Sequence, residues 1–540
     1  TDGWIRAYWR WYNQQPKSSE AMAAMTPEDI QWLDQYPEWD PRILMADPME
    51  RAALLQARKD GTAPAASVNT VLANNEELAE IAGWLGDEDR HCLAAHELAN
   101  QMAFARLGLE TLKFLELGSP IENDRATSDK LDGIPEWFIG PLMSSLVCHE
   151  VGHTLGLRHN FKASSLYTLE EINSDEIRGK KPFTASVMDY NPVNFNMDTG
   201  DVQGDFAMIG IGPYDYWAVE YGYTTGDIAD VLAKASDPAY AYLTDEDTNG
   251  PDPLAKRYDF SKDPLTFAQN QMRIVSSLRE DLLGHFVEDG DSWSEARRGY
   301  ETTLRMQTSA ASMMSDWIGG AYTNRNKKGD FGDEDVPPVQ VVPAEQQRAA
   351  LEFIVNTIFD ENAYNLSPEI VTHFNVDKWY EGGGDSGEAT WPIHDQILGT
   401  QASMISAILA PSRLRMVSDN EFMVPSDEDA LTVAEIFQTL MDAIYGEMET
   451  KGTWSNRQPM ISSIDRNLQA EMADRLIGLL TGKVKQSRQV RTLALYHGRQ
   501  LYNEIGDVLA TDDNLDVYSL AHLQDMHERL GKALEAVYTM

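Results

Sequence analysis

The chain has 540 residues, 42% of them hydrophobic and 24% charged, with 37 Gly and 24 Pro; that balance excludes a disordered or collagen-like chain. At roughly 100 to 200 residues per core, the length divides into two to four domains. Forty-four Lys and Arg against 86 Asp and Glu leave a net charge of −42, a surface that repels phosphate backbones and anionic headgroups, so nucleic acid is not an expected partner.

The opening residues Trp4, Tyr8, Trp9, Trp11 and Tyr12 are interleaved with Arg6 and Arg10. They read as an aromatic segment docked on the rest of the protein, with a carbohydrate or peptide platform as the other reading. Thr1 opens directly onto Asp-Gly-Trp without a basic or apolar leader segment, so any export signal is expected to have been removed or to lie outside this sequence. Apolar spacing predicts helices over 18–36, 48–59, 68–84 and 87–117, with little strand alternation. Cys92 and Cys148 allow one bridge, and two reduced buried thiols are the commoner arrangement. Residues 119–136 carry Gly, Pro, Asn and Asp and lead into an apolar helix over 141–157. The best apolar run, 138–148, is short of the roughly 18 to 20 residues that span a bilayer, so no membrane span is expected.

Beyond Tyr223, Asp-Pro pairs at 237–238, 252–253 and 263–264 mark a long connection. Within it Asp245-Glu246-Asp247-Thr248-Asn249-Gly250 copies the opening of a calcium loop, but position 12 is Lys256; a solvated turn is the plainer reading and a Ca²⁺ site the other. A polar stretch over 324–343 has hairpin character around Lys328-Gly329-Asp330. From Ala344 onward helices dominate: Leu351, Ile354, Val355 and Ile358 share one helical face, as do Val433, Ile436, Phe437, Leu440 and Ile444. Leu520, Leu523, His527, Leu530, Leu534 and Val537 form a third stripe, in which His527 reads as a core histidine.

Chemistry is concentrated between Cys148 and His159, where the chain reads His-Glu-x-x-His-x-x-Gly-x-x-His. Residues four apart share a helix face, so His149 and His153 can present two imidazoles to one metal ion. Glu150 lies about 100° round from His149, beside the ion without filling a coordination position, which is where a general base belongs. On an unbroken helix His159 would point about 240° away from that face, so the helix must end first. Gly156 can take positive φ at a helix terminus and reverse the chain, returning His159 to the same ion. Three neutral imidazoles then hold Zn²⁺ and leave a position open, the pattern of a catalytic site. Five such identities arise by chance in a chain of this composition with a probability of about 10⁻⁵. His96-Glu97 lacks the second histidine, Asn100 standing in its place, and is read as ordinary helix. A thermolysin-type third ligand among Glu170, Glu171 and Glu176 is the metal alternative, without supporting context.

Met188 stands 29 residues after His159, in Ser186-Val187-Met188-Asp189-Tyr190. Together the two segments resemble the metzincin metallopeptidases. The resemblance implies that Met188 floors the three imidazoles and that Tyr190 approaches the metal and stabilises the oxyanion. Residues 149–164 and 186–192, with Ile211-Gly212-Pro213-Tyr214-Asp215 through Tyr223, are similar to the Met-zincin domain of large bacterial exported proteins. That similarity, over roughly 120–350, implies an extracytoplasmic (periplasmic or secreted) location. Asn160 departs from the residues that named metzincin subfamilies carry after the third histidine. Residues 1–148 also show little of the sheet that metzincins place before the zinc helix, so the sheet is reduced, or an upstream segment of the same precursor packs on the N-terminal region.

The fold class expected is α+β, predominantly helical, with a metzincin-like catalytic domain followed by an all-α C-terminal domain. The division is an N-terminal helical segment over 1–85, the catalytic domain over 86–235, a connection of mixed structure over 236–343 and a helical domain over 344–540. The expected function is zinc-dependent hydrolysis of a peptide or protein substrate. The alternative is a catalytically silent zinc-containing binding or scaffold protein.

Overall fold

In the computed structural model, residues 18–46, 48–59, 102, 104–105, 130–131, 134–197, 199–330, 336–376, 390–449, 452–511 and 514–539 are described. The aromatic opening segment, the helix predicted over 68–84, most of that over 87–117, Cys92 and His96 lie outside them. The chain divides into two units, one of residues 1–16, 67–310 and 368–380, the other of 17–66, 311–367 and 381–540. The described part is predominantly helical, with two small antiparallel sheets of two strands each.

In the first unit, strands Lys130–Leu131 and Ile134–Pro135 pair and lead into the helix Glu136–Thr154. This helix starts before the predicted 141, with Pro141 inside it and one main-chain bond lost near its start. Phe138, Leu142, Leu146 and His149 form its buried stripe, so the apolar face that anchors the helix runs directly into the first histidine. Phe138 packs on Phe195 and Phe206 at ring distances of 6.4 and 5.4 Å. Cys148 is half-buried with a free thiol.

Between this helix and the next long one, Pro213–Tyr223, the described residues form only the 3-10 turn Ala163–Leu166 and the single-turn helix Leu169–Ile172. Main-chain bonds between distant loops replace a sheet: Asn160 N–H donates to Met188 O, Phe161 N–H to Leu243 O, Ala185 N–H to Ala163 O, Tyr214 N–H to Ala185 O and Tyr258 N–H to Tyr190 O. Buried loop backbone is thereby satisfied without strands. Glu171 is used in a capping box with Thr168, and Glu170 and Glu176 are exposed, so the thermolysin-type alternative finds no ligand here. The stretch 236–343, expected as a connection of mixed structure, carries the helices Pro264–Glu280, Leu282–Phe286 and Ser294–Ser315. The first begins at an Asp-Pro pair, where Asp263 accepts from Leu265 N–H, and the second is capped by Asp281, which accepts from Gly284 N–H.

In the second unit, the helix predicted over 18–36 is two helices, Ser18–Met22 and Pro27–Gln35. Thr26 and Asp29 form a capping box that restarts the chain at Pro27, a signal that overrides continuous apolar spacing. The helix over 48–59 is present as Pro48–Lys59. Strands Ala321–Thr323 and Val339–Val341 pair antiparallel around the predicted turn, where Gly329 has φ +97°. Ile393–Ile408 is buried on nearly all sides and packs with Ser463–Leu480, which in turn packs with Arg488–Thr511 and Val517–Thr539. The face of Leu351, Ile354, Val355 and Ile358 is shared by the helix Ala344–Ile354 and a π turn, Val355–Phe359. His527 is half-buried and stacks on Tyr502 with ring centres 4.1 Å apart, a packing role.

Candidate metal centre

The helix Glu136–Thr154 ends one turn after His149. Gly156 takes φ +86°, its N–H donates to His153 O at 3.0 Å, and Leu157 N–H donates back to Gly152 O at 3.1 Å. These are the two bonds of a Schellman termination, with the left-handed residue where glycine is least strained. The reversal carries His159 back alongside the helix. The ring centres of His149, His153 and His159 lie 4.8 to 5.4 Å apart, and one nitrogen from each falls within 4.8 Å of the others.

Each ring is held by its other nitrogen. Nδ1 of His149 donates to Val187 O at 2.8 Å, Nδ1 of His153 to Leu157 O at 3.0 Å, and Nδ1 of His159 to the Asp245 carboxylate at 2.9 and 3.0 Å. With the proton on Nδ1, the lone pair of each imidazole is on Nε2, the form in which histidine binds metal. Burial pushes the His149 pKa down to about 4, against the favourable Val187 carbonyl and in concert with the neighbouring histidines, so it is neutral at physiological pH. His153 Nε2 is buried without a hydrogen-bond partner, an arrangement that costs free energy unless something coordinates it. Three convergent imidazoles, one of them with its Nε2 otherwise unpaired, supply the donor set that a zinc ion takes. They are the group of this kind found among the described residues.

Met188 is fully buried, and its sulphur packs so closely on the helix that a Cβ at Gly152 would come within 2.3 Å of it. The turn that carries it is held from behind by the N-terminus of the helix Pro213–Tyr223. Asp215 accepts from Ser186 Oγ at 2.5 Å, Val187 N–H at 2.8 Å and Gly212 N–H at 2.7 Å. Gly212 lies against Ala185, where a Cβ would be 1.9 Å from the carbonyl oxygen. The Tyr190 hydroxyl donates to His159 Nε2 at 3.1 Å, and its ring lies 4.9 Å from that of His159. Glu150 is exposed, one residue after the buried His149.

The family model of the Met-zincins matches residues 132–452, more than half of the chain. The chain belongs to the Met-zincin family. No curated protein and no solved structure matches it. Within this Met-zincin, Asn160, the departure from the named subfamilies, is fully buried. Its side chain donates to Ala241 O at 2.9 Å while its N–H reaches Met188 O, so it joins the third histidine to the methionine turn. The segment read as a solvated turn is a turn with no buried residue, and Asp245 adds to that reading a partner in the metal centre. The segment Asp245–Asp247 is a 3-10 turn whose first carboxylate holds His159. Its sequence signal was the acidic run itself, which carries no mark of a partner 86 residues away.

Proposed function

We propose that this Met-zincin is a zinc-dependent peptidase, with the ion on His149, His153 and His159. The reading is supported above all by three imidazoles whose Nδ1 atoms are tied to protein oxygens while their Nε2 atoms converge. Zinc held there would supply Lewis acidity, bringing water deprotonation into the neutral range and polarising a carbonyl. Glu150, exposed beside the first ligand, takes a proton from the attacking water and passes it to the leaving nitrogen. The Tyr190 hydroxyl donates to the substrate carbonyl oxygen as negative charge develops, a contribution of up to a few kcal/mol at such sites. Met188, buried against Gly152, supports the histidines from the apolar side.

Glu150→Gln tests the assignment. Zinc content is expected to persist while cleavage of a peptide library falls by about 10²- to 10⁴-fold, and a chelator should stop the wild type. A zinc-loaded wild type that never cuts would remove the peptidase reading in favour of a binding or scaffold role.

A further inference from the structure

The three histidines are not held alike. His149 and His153 donate to neutral main-chain carbonyls, whereas His159 donates to both oxygens of a carboxylate, at 2.9 and 3.0 Å. That carboxylate is itself built in. Thr244, fully buried, donates its hydroxyl to Asp245 Oδ2 at 3.3 Å. Arg257 Nη2 lies 3.4 Å from Oδ1 and Arg158 Nη2 3.8 Å from Oδ2. Arg158 is engaged by Glu246 through a paired contact of 2.8 and 2.5 Å, and Arg257 is stacked over the Phe161 ring at 4.9 Å. Phe161 in turn packs against the His159 ring at 5.1 Å. Two cations and two anions thus form a locally balanced frame around one imidazole.

We propose that Asp245 is a positioning residue of the metal centre, which fixes the tautomer and plane of His159 and makes it the strongest donor of the three. The inference rests on the zinc reading and extends it to a turn outside the histidine motif. A carboxylate accepting from Nδ1–H polarises the ring and raises electron density at Nε2, an effect that a carbonyl supplies more weakly. His159 is also the ligand with most need of it, because it lies beyond the helix end, where no helical backbone sets its direction.

The test compares metal-free wild type, Asp245→Asn, Asp245→Ala and His153→Ala by zinc competition with a chromophoric chelator and by the visible spectrum after cobalt loading. Loss of such an outer partner weakens metal binding by about 10- to 100-fold, which is the expectation for Asp245→Ala. Asp245→Asn keeps an acceptor oxygen without the charge and should fall between it and the wild type. The cobalt bands should shift in both, with the metal-free Asp245→Asn form, which keeps an acceptor, melting at the temperature of the metal-free wild type. Wild-type zinc affinity and an unchanged cobalt spectrum in both variants would overturn the proposal. A wild type that binds no zinc, or a His153→Ala form that binds it equally, would instead remove the zinc reading beneath it. Should the alanine form fail to fold, the asparagine form decides alone.

Discussion

At Gly156 a Cβ would meet nothing within 4 Å, so the requirement for glycine is one of backbone conformation and not of space. The left-handed region costs an L residue roughly 1–2 kcal/mol. Gly156→Ala is therefore expected to lower the stability of the metal-free protein by about that amount in denaturant unfolding, and to weaken zinc binding because His159 is displaced with the turn. Gly156→Asn should cost less, since asparagine tolerates the conformation. This residue and the three histidines could be read from the sequence because helix geometry converts spacing into direction. Asp245 could not, since its contact with His159 is made through space by a turn whose Asp-Glu-Asp composition resembles any solvated loop.

Among the elements, the methionine turn is held most closely. Asp215 accepts three buried donors, and one of them, the Val187 N–H, belongs to the residue whose carbonyl holds His149. Burial raises the Asp215 pKa, and the Ser186, Val187 and Gly212 donors oppose that rise. Asp215→Ala leaves those donors unmet at about 1–3 kcal/mol each, and is expected to lower both the melting temperature and zinc affinity.

The next residues along set a pH dependence. Asp189 accepts from the main chain of Ser164 and Tyr190, and Asp259 from the Ser164 hydroxyl. Burial pushes Asp189 above the ordinary carboxylate range despite those donors; burial, then the charge of Asp189, does the same to Asp259. Native protein keeps protons that the unfolded chain has released, so this stabilisation is complete below about pH 4 and is lost as pH rises through the raised folded values. The melting temperature is expected to fall from about pH 5 to about pH 9, and Asp259→Asn should flatten that fall. No spacing rule exposes such a pair: Asp189 looks like a turn residue and Asp259 like one more acid in an acidic loop.

For the whole molecule, a net charge of −42 means repulsion that grows as the chain compacts. Raising salt from about 0.01 M to about 1 M shortens the screening length from about 30 Å to about 3 Å. The melting temperature should climb over that range, and a fall would show that the paired surface charges outweigh the excess. Helical character was readable because apolar stripes such as Val433 to Ile444 recur at the helical period. How the loops of the centre are joined was not, because main-chain bonds are available to any sequence.

The same fact bears on how the centre can change by inheritance. Two of the three imidazoles lean on peptide oxygens of residues 157 and 187, which every amino acid carries, so replacing those side chains cannot by itself detach the rings. Of the three Nδ1 bonds, that of His159 ends on a side chain, and a single codon at 245 is enough to remove that bond.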